Sequence, residues 1–325
     1  PMYDLKPEKT NSWEVGLTLK AFEGLSRDVS YYDTRTFNQT CDSQLSVSSG
    51  YTALYVQTGN VRNRGVELSL GYEHQWGIFG WNSNYTFSTN HNEVLELMEN
   101  YTHPETGNVI SLDQLKVGGF ANAAFVLTPG GTLGDLYTTV DLNRDEFGNV
   151  YVDKDGNISR NAEIGYRKLG SVFSKANMAW NNDFNVGNLN FGFLISARLG
   201  GIVYSATQAR LDNFGVSEAS ALARDNGGVM VDGYSIDPYK WYSVVGADSG
   251  IPQYYTYDAT NVRLQEAHIG YPIPRKKLGG LMDITLSLVG RNLWMIYCKA
   301  PFDPESIATA GNYYQGIDSF MMPST

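Results

Sequence analysis

The sequence predicts an all-β chain, part of a transmembrane antiparallel β-barrel of about eight strands with long extracellular loops, and three observations lead there. Apolar and polar residues alternate with period two along segments near the roughly ten residues that a tilted strand needs to cross a bilayer. The connections between these segments alternate short and long. The composition combines 13% aromatic with only 18% charged residues, against roughly 25% charged in soluble domains. No stretch approaches the roughly 18 consecutive apolar residues of a membrane-spanning helix. The mean hydropathy of −0.29 is compatible with strands whose two faces average out.

The first segment, 12–21, sets Trp13, Val15, Leu17, Leu19 and Ala21 against Ser12, Glu14, Gly16, Thr18 and Lys20. A weaker alternation follows over 26–36. Val66, Leu68, Leu70 and Tyr72 then oppose Glu67, Ser69, Gly71 and Glu73, and Trp81, Tyr85 and Phe87 oppose Asn82, Asn84, Thr86 and Ser88. With Asn90 that last polar row suits a water-filled or plugged lumen. After a weaker segment at 171–182, Leu189, Phe191, Phe193, Ile195, Ala197 and Leu199 alternate with polar or small residues, Leu194 being the exception. Another weak segment covers 259–271, and Ile284, Leu286 and Leu288 alternate with Asp283, Thr285 and Ser287. A soluble β-sandwich shares the alternation, but strands of ten or more residues exceed the roughly five or six usual there.

The connections run short (22–25), long (37–63), short (75–79), long (about 91–170), short (183–187), long (about 201–258) and short (272–277). Short periplasmic turns and long extracellular loops produce that order. It directs the first strand toward the periplasm and makes the residues after Tyr297 another external loop. A barrel must close, with both chain ends in the periplasm, so at least one strand is expected after Thr325 and more before Pro1. No charged-then-apolar leader opens the chain at Pro1, which reads as a fragment or a processed product.

Lys and Arg number 24 against 34 Asp and Glu, a net charge of −10, which excludes nucleic acid as a partner. Cys41 and Cys298 are too few and too far apart for a disulfide scaffold or a cysteine metal site, and read as structural. His74, His91, His103 and His268 show neither metal-ligand spacing nor the order of a catalytic triad. No acid pair stands out for glycoside hydrolysis. The expectation is therefore no enzyme, no catalytic residue, no metal and no cofactor. Asp153-Lys154-Asp155-Gly156-Asn157 resembles a calcium loop superficially but lacks the full EF-hand pattern and its closing Glu. A polar hairpin turn between Val150-Tyr151-Val152 and Ile158 is preferred.

Within 201–258 one short helix is expected, with Ser217 as N-cap, Glu218 in the first turn and Gly227 beyond the end. Trp241, Tyr242, Tyr254, Tyr255 and Tyr257 cluster in the same segment. Such rings can stack on sugar faces or line a peptide groove; the competing role is an aromatic girdle at the membrane boundary.

Leu5-Lys6-Pro7-Glu8-Lys9-Thr10-Asn11-Ser12-Trp13-Glu14-Val15-Gly16-Leu17 resembles the barrel of SusC/RagA-type TonB-dependent outer-membrane transporters of the Bacteroidetes. Gly59-Asn60-Val61-Arg62-Asn63-Arg64-Gly65-Val66-Glu67-Leu68, Ala223-Arg224-Asp225-Asn226-Gly227-Gly228-Val229 and Tyr257-Asp258-Ala259-Thr260-Asn261-Val262-Arg263-Leu264-Gln265-Glu266 follow in the family's order. So do Gly290-Arg291-Asn292-Leu293-Trp294, Phe302-Asp303-Pro304-Glu305 and Gly316-Ile317-Asp318. The resemblance implies that residues 1–325 are the C-terminal portion of such a barrel, lacking the plug domain and a last strand ending in an aromatic residue. It further implies energy-coupled import of oligosaccharides or peptides across the bacterial outer membrane. The implied partners are a SusD-like surface lipoprotein, TonB acting through the plug, and outer-membrane lipid. The alternative is a secreted β-sandwich glycan-binding module or surface adhesin, which would stay soluble without detergent. For the barrel, Trp13→Asp should impair membrane insertion far more than Ser12→Asp.

Overall fold

The computed structural model describes residues 6–21, 24–44, 53–97, 101–102, 109–280, 282–305 and 314–320. Phe22, Glu23, His103 and the Cys41 side chain lie outside this description, as do the residues at both chain ends. Eight long strands form the wall: β1 (Lys9–Ala21), β2 (Leu25–Gln44), β3 (Ala53–Trp76), β4 (Phe79–Ser88), β5 (Ala176–Val186), β6 (Leu189–Leu199), β7 (Asn261–Ile273) and β8 (Ile284–Cys298). Each pairs antiparallel with the next, and the short strand His91–Glu96 carries β4's pairing with β3 further up. The sheet's two ends, β1 and β8, do not meet. All eight expected strands are present. Among the described residues no helix is long and apolar enough to cross a membrane.

Register settles which side chains share a face. Leu17 lies opposite Val29, Val29 opposite Leu68, Leu68 opposite Phe87 and Phe87 opposite Met178, so one apolar row crosses the wall. A parallel row runs through His74, Trp81, Phe184, Phe191, Ile269 and Leu288, with Trp81 and Phe184 stacked at 6.3 Å. Apolar side chains of this face remain half-exposed or exposed (Val15 65%, Leu17 58%, Leu288 73%), because the hydrocarbon of a bilayer is the phase that would cover them. Ser83 and Asn182 sit opposite each other on this same dry face. Their acceptors are satisfied by indole N–H groups, Trp180 Nε1 donating to Ser83 Oγ and Trp81 Nε1 to Asn182 Oδ1, each at 3.0 Å, as burial of polar atoms requires.

The opposite face is wet. Ser12 and Thr34 hydroxyls share a 2.8 Å hydrogen bond, Asn92 Nδ2 donates to Asn63 Oδ1 at 2.9 Å, and Asn82, Asn84 and Thr86 are exposed on it. Gly65 stands directly opposite Tyr32. A Cβ at Gly65 would come within 2.7 Å of the Tyr32 ring and 2.0 Å of the Thr89 carbonyl oxygen, so the Arg-Gly-Val step admits only glycine.

Short turns gather at one end of the wall and long connections at the other. The structure shortens one expected loop: β2 and β3 stay paired from Thr36↔Val61 out to Gln44↔Ala53, so most of 37–63 is a projecting hairpin. The expected strand at 171–182 begins at Ala176, because Ser171 belongs to a separate sheet. The long connections fold into an external domain containing a four-stranded sheet (Leu115–Phe120, Ala123–Leu127, Asp135–Thr138, Arg167–Ser171) and three helices, α1 (Ala206–Asn213), α2 (Glu218–Asp225) and α3 (Pro238–Val245). Its core of Phe125, Leu127, Leu136, Tyr204, Trp241 and Ile251 is continuous with Val61, Val94 and Leu97 at the top of the wall. Aliphatic side chains thus replace polar ones on the inner face where the domain sits down on it.

Candidate functional site

The external domain positions the aromatic cluster. Its one expected helix is present as α2, with Ser217 Oγ accepting from Ser220 N at 3.0 Å. Two more helices bracket it. Ser205 caps α1 by accepting from Gln208 N at 3.0 Å, and Asp237 caps α3 by accepting from Lys240 N at 3.1 Å with Pro238 in the first turn. Asp237-Pro238 is the helix-start signal in the sequence that marks α3.

The structure divides the five candidate rings. Trp241 is buried on the inner side of α3 and meets Tyr254 edge-on at 5.5 Å. Tyr255 is 2% exposed, its hydroxyl aimed toward Asp212 without reaching hydrogen-bond geometry. Burial pushes the deprotonation of both Tyr254 and Tyr255 upward. Tyr257, on the strand Thr256–Asp258, packs edge-on against Phe302 at 5.7 Å; burial, with Asp212 nearby, raises its pKa to about 12. Tyr242 is the ring that reaches a cavity. That cavity, of about 420 Å³, lies between α1, α2 and α3 and is lined by Asp212, Phe214, Ser220, Arg224, Tyr239 and Tyr242.

Asp212 was not singled out from the sequence. It is buried, accepts from Gln208 Nε2 at 2.9 Å, and its charge helps to raise the pKa values of Tyr242, Tyr255 and Tyr257. An i,i+4 Gln–Asp pair was the available signal. A carboxylate, a guanidinium and two phenol rings around a space of this size can hold the hydroxyls of a sugar or the backbone of a peptide while a ring covers the apolar face.

A second cavity of about 570 Å³ opens where the domain meets the wall, lined among others by Asn90, Asn92, Ser171, Lys175 and Asp258. Asn90 and Asn92 continue the wet row of β4, so this cavity leads onto the inner face.

Two sequence motifs find each other across the domain. Arg263 is buried, donating through Nη1 and Nη2 to both carboxylate oxygens of Asp303 at 3.2 and 2.8 Å, with Glu305 at 3.4 Å. The Phe-Asp-Pro-Glu stretch is thereby fastened to the Asn-Val-Arg strand. Asp318 accepts from Ser205 Oγ at 2.5 Å while Ile317–Asp318 pairs with Ile202–Ser205. At 153–157 the carboxylate of Asp153 is occupied by its own turn, accepting from Asp155 N and Asn157 N at 2.9 and 2.8 Å. Those bonds hold the carboxyl below its ordinary pKa. Asp145 does the same with Phe147 N and Asn149 N. Polar turns are what this stretch forms, and no cluster of three or more metal-ligating groups occurs among the described residues.

Comparison with known proteins places the wall. The family described as "TonB dependent receptor-like, beta-barrel" matches residues 2–190. The TonB-dependent receptor P39 of Formosa agariphila is 24% identical across 99% of this chain and 35% of its own length. The RagAB peptide importer in its "closed-closed" state superposes with a TM-score of 0.67 at 18% identity, covering 96% of this chain and 34% of that one. Its "open-open" state gives 0.65 at 16% identity, covering 98% and 34%. The chain therefore spans about a third of the length of these relatives.

Proposed function

The chain belongs to the TonB dependent receptor-like β-barrel family, and from that premise we propose that it serves energy-coupled import of oligosaccharides or peptides across a bacterial outer membrane. The observation that carries this reading is the opposed character of the wall's two faces: apolar rows outward, and a ladder of Ser, Thr and Asn inward beneath an external domain. Such a wall is satisfied only with lipid on one side and water on the other. Residues 1–325 would be the C-terminal part of a larger barrel, with the plug and closing strand supplied by the rest of the protein. The unpaired ends of the sheet and the one-third share of the relatives' length support that assignment.

In this reading the cavity between the helices receives ligand first. Tyr242 and Tyr239 stack on it and Asp212 accepts its hydrogen bonds, while Trp241, Tyr254, Tyr255 and Tyr257 hold the domain in shape. Phe214 and Val216 between α1 and α2, Leu222 on α2 and Tyr239 on α3 are exposed apolar side chains, which we assign to contact with a SusD-like surface lipoprotein closing over the cavity. Ligand would then descend along the inner face when TonB, acting through the plug, opens it.

The test is uptake. Cells lacking the gene should fail to accumulate a labelled pool of oligosaccharides or peptides that parental cells take up, and a protonophore should abolish uptake in the parent. Tyr242→Ala in the full-length protein should weaken binding about tenfold without loss of the folded barrel. Unchanged accumulation in the deletion strain on both pools would overturn the reading.

A further inference from the structure

The apolar band on the outer face ends, at the end with the long connections, in a cluster of cations. Trp13 and Tyr31 meet there at 5.4 Å, an aromatic pair of the kind that marks a membrane boundary. In the row of Trp13 lie Asp33, Arg64 and His91, and in the next row outward Asn11, Arg35, Arg62 and Glu93. Lys9 stands one row further, opposite Phe37. All share the parity of Trp13, Val15 and Leu17, so they face the surroundings of the barrel and not its interior. The chain carries a net charge of −10, yet this patch sets Lys9, Arg35, Arg62 and Arg64 against Asp33 and Glu93 alone.

The cations of this cluster outnumber its carboxylates, four against two. Arg35 and Arg62 lie directly opposite each other across β2 and β3, a like-charge pairing that needs an anion beside it, and both share the single carboxylate of Asp33. Asp33 is buried and shared between them, accepting from Arg62 Nε at 2.9 Å and from its Nη2 while Arg35 Nε pairs with its other oxygen at 3.8 Å, and Glu93 stands opposite Arg62. Among the described residues no carboxylate lies within ion-pair distance of Arg64 or Lys9. Guanidinium groups arrayed in this way match phosphate oxygens, and the height of the cluster, just past the aromatic pair, is that of lipid headgroups.

We propose that Arg35, Arg64 and Lys9 on the outer face of β1–β3 bind the phosphate of an outer-leaflet lipid headgroup, with the Asp33–Arg62 pair as the floor of the site. The inference rests on the membrane placement proposed above. The full-length protein in phosphatidylcholine nanodiscs, doped with phosphorylated lipid A or with the same lipid after enzymatic dephosphorylation, tests both. The phosphorylated form should be retained at least tenfold more than the dephosphorylated form, as counted by native mass spectrometry. Arg35→Gln/Arg64→Gln should lower retention to the dephosphorylated level while Arg35→Lys keeps most of it, and millimolar inorganic phosphate should not displace the lipid. Equal retention of the two lipids would overturn the proposal, as would complete displacement by inorganic phosphate, which would make free phosphate the ligand. Insertion without phosphate preference refutes this inference alone; failure of the protein to enter nanodiscs refutes the membrane placement and this site with it.

Discussion

Asp141 is buried in the external domain and accepts from Arg144 Nε at 3.2 Å, Arg167 Nη1 at 2.6 Å, Gln253 Nε2 and Leu142 N at 2.7 Å. Burial opposes its ionisation, but the hydrogen bonds of Arg144, Leu142 and Arg167 outweigh that and hold its pKa below the ordinary carboxylate value. The fold therefore favours the ionised form. Its contribution is complete above about pH 4, the unfolded value, and is lost as pH falls through the lower folded value. Asp141→Asn should cost the external domain about 2 kcal/mol at neutral pH, since two solvent-reachable arginines lose a buried acceptor. Hydrogen exchange of the domain in the full-length protein reads this, and equal protection in variant and parent would refute it. Tyr204 and Tyr255 make a matched contrast. Tyr204 donates its hydroxyl to the Ser249 carbonyl, so Tyr204→Phe should destabilise by about 1 kcal/mol. The Tyr255 hydroxyl lacks a partner, so Tyr255→Phe should be neutral or stabilising by a similar amount. Thermal melts of the two variants moving in the same direction by the same amount would contradict the assignment.

Each wall strand works as a two-faced element, and the register of its neighbours decides which face is which. Leu17 lies within an apolar row whose members are four other strands' Val29, Leu68, Phe87 and Met178, whereas Thr18 points to the wet side between Glu14 and Lys20. Leu17→Arg should lower barrel stability in a bilayer by about 2–4 kcal/mol, and Thr18→Arg by a small fraction of that. Refolding yield into vesicles, followed by heat-modifiable gel mobility, measures the difference. Trp13 is a less decisive position than Leu17 because the structure places it at the boundary, in the row of Asp33 and Arg64, where a charge is tolerated. Strand existence was legible from period-two alternation because both faces contact extensive uniform phases, lipid and water. The continued pairing of β2 and β3 beyond Thr36 was not legible. The outer face has already turned polar at Asp33 and Arg35, so the apolar signal stops before the ladder does, which runs on to Gln44↔Ala53.

At the scale of the whole chain, the external domain and the wall are held together by a shared core and a few long-range polar contacts. Val61 and Val94 turn inward from the wall into the same cluster as Phe125 and Leu136. Arg263 reaches 40 residues along the chain to Asp303. Because Arg263 and Asp303 are both largely removed from water, Arg263→Ala should release the 299–305 stretch with a loss of about 3 kcal/mol of local stability. Amide exchange should accelerate there at least tenfold while β7 stays protected; unchanged exchange would show that the loop is held by other contacts.

The candidate site was half legible for a related reason. The sequence clusters Trp241, Tyr242, Tyr254, Tyr255 and Tyr257, but a ring at a surface and a ring in a small core look alike in one dimension. Only the packing of α3 against its neighbours sends Trp241 inward and leaves Tyr242 on the cavity beside Asp212. What the sequence determined by itself is the wall: alternation, strand length and loop order are local properties, and they were enough to specify eight strands and their two faces. What the tertiary structure decided is everything that depends on residues distant in the chain meeting one another. That includes the cavity between three helices, the Arg263–Asp303 fastening, and the opposed arginines at the lipid-facing rim, because a face or a register can be read from spacing but a contact cannot.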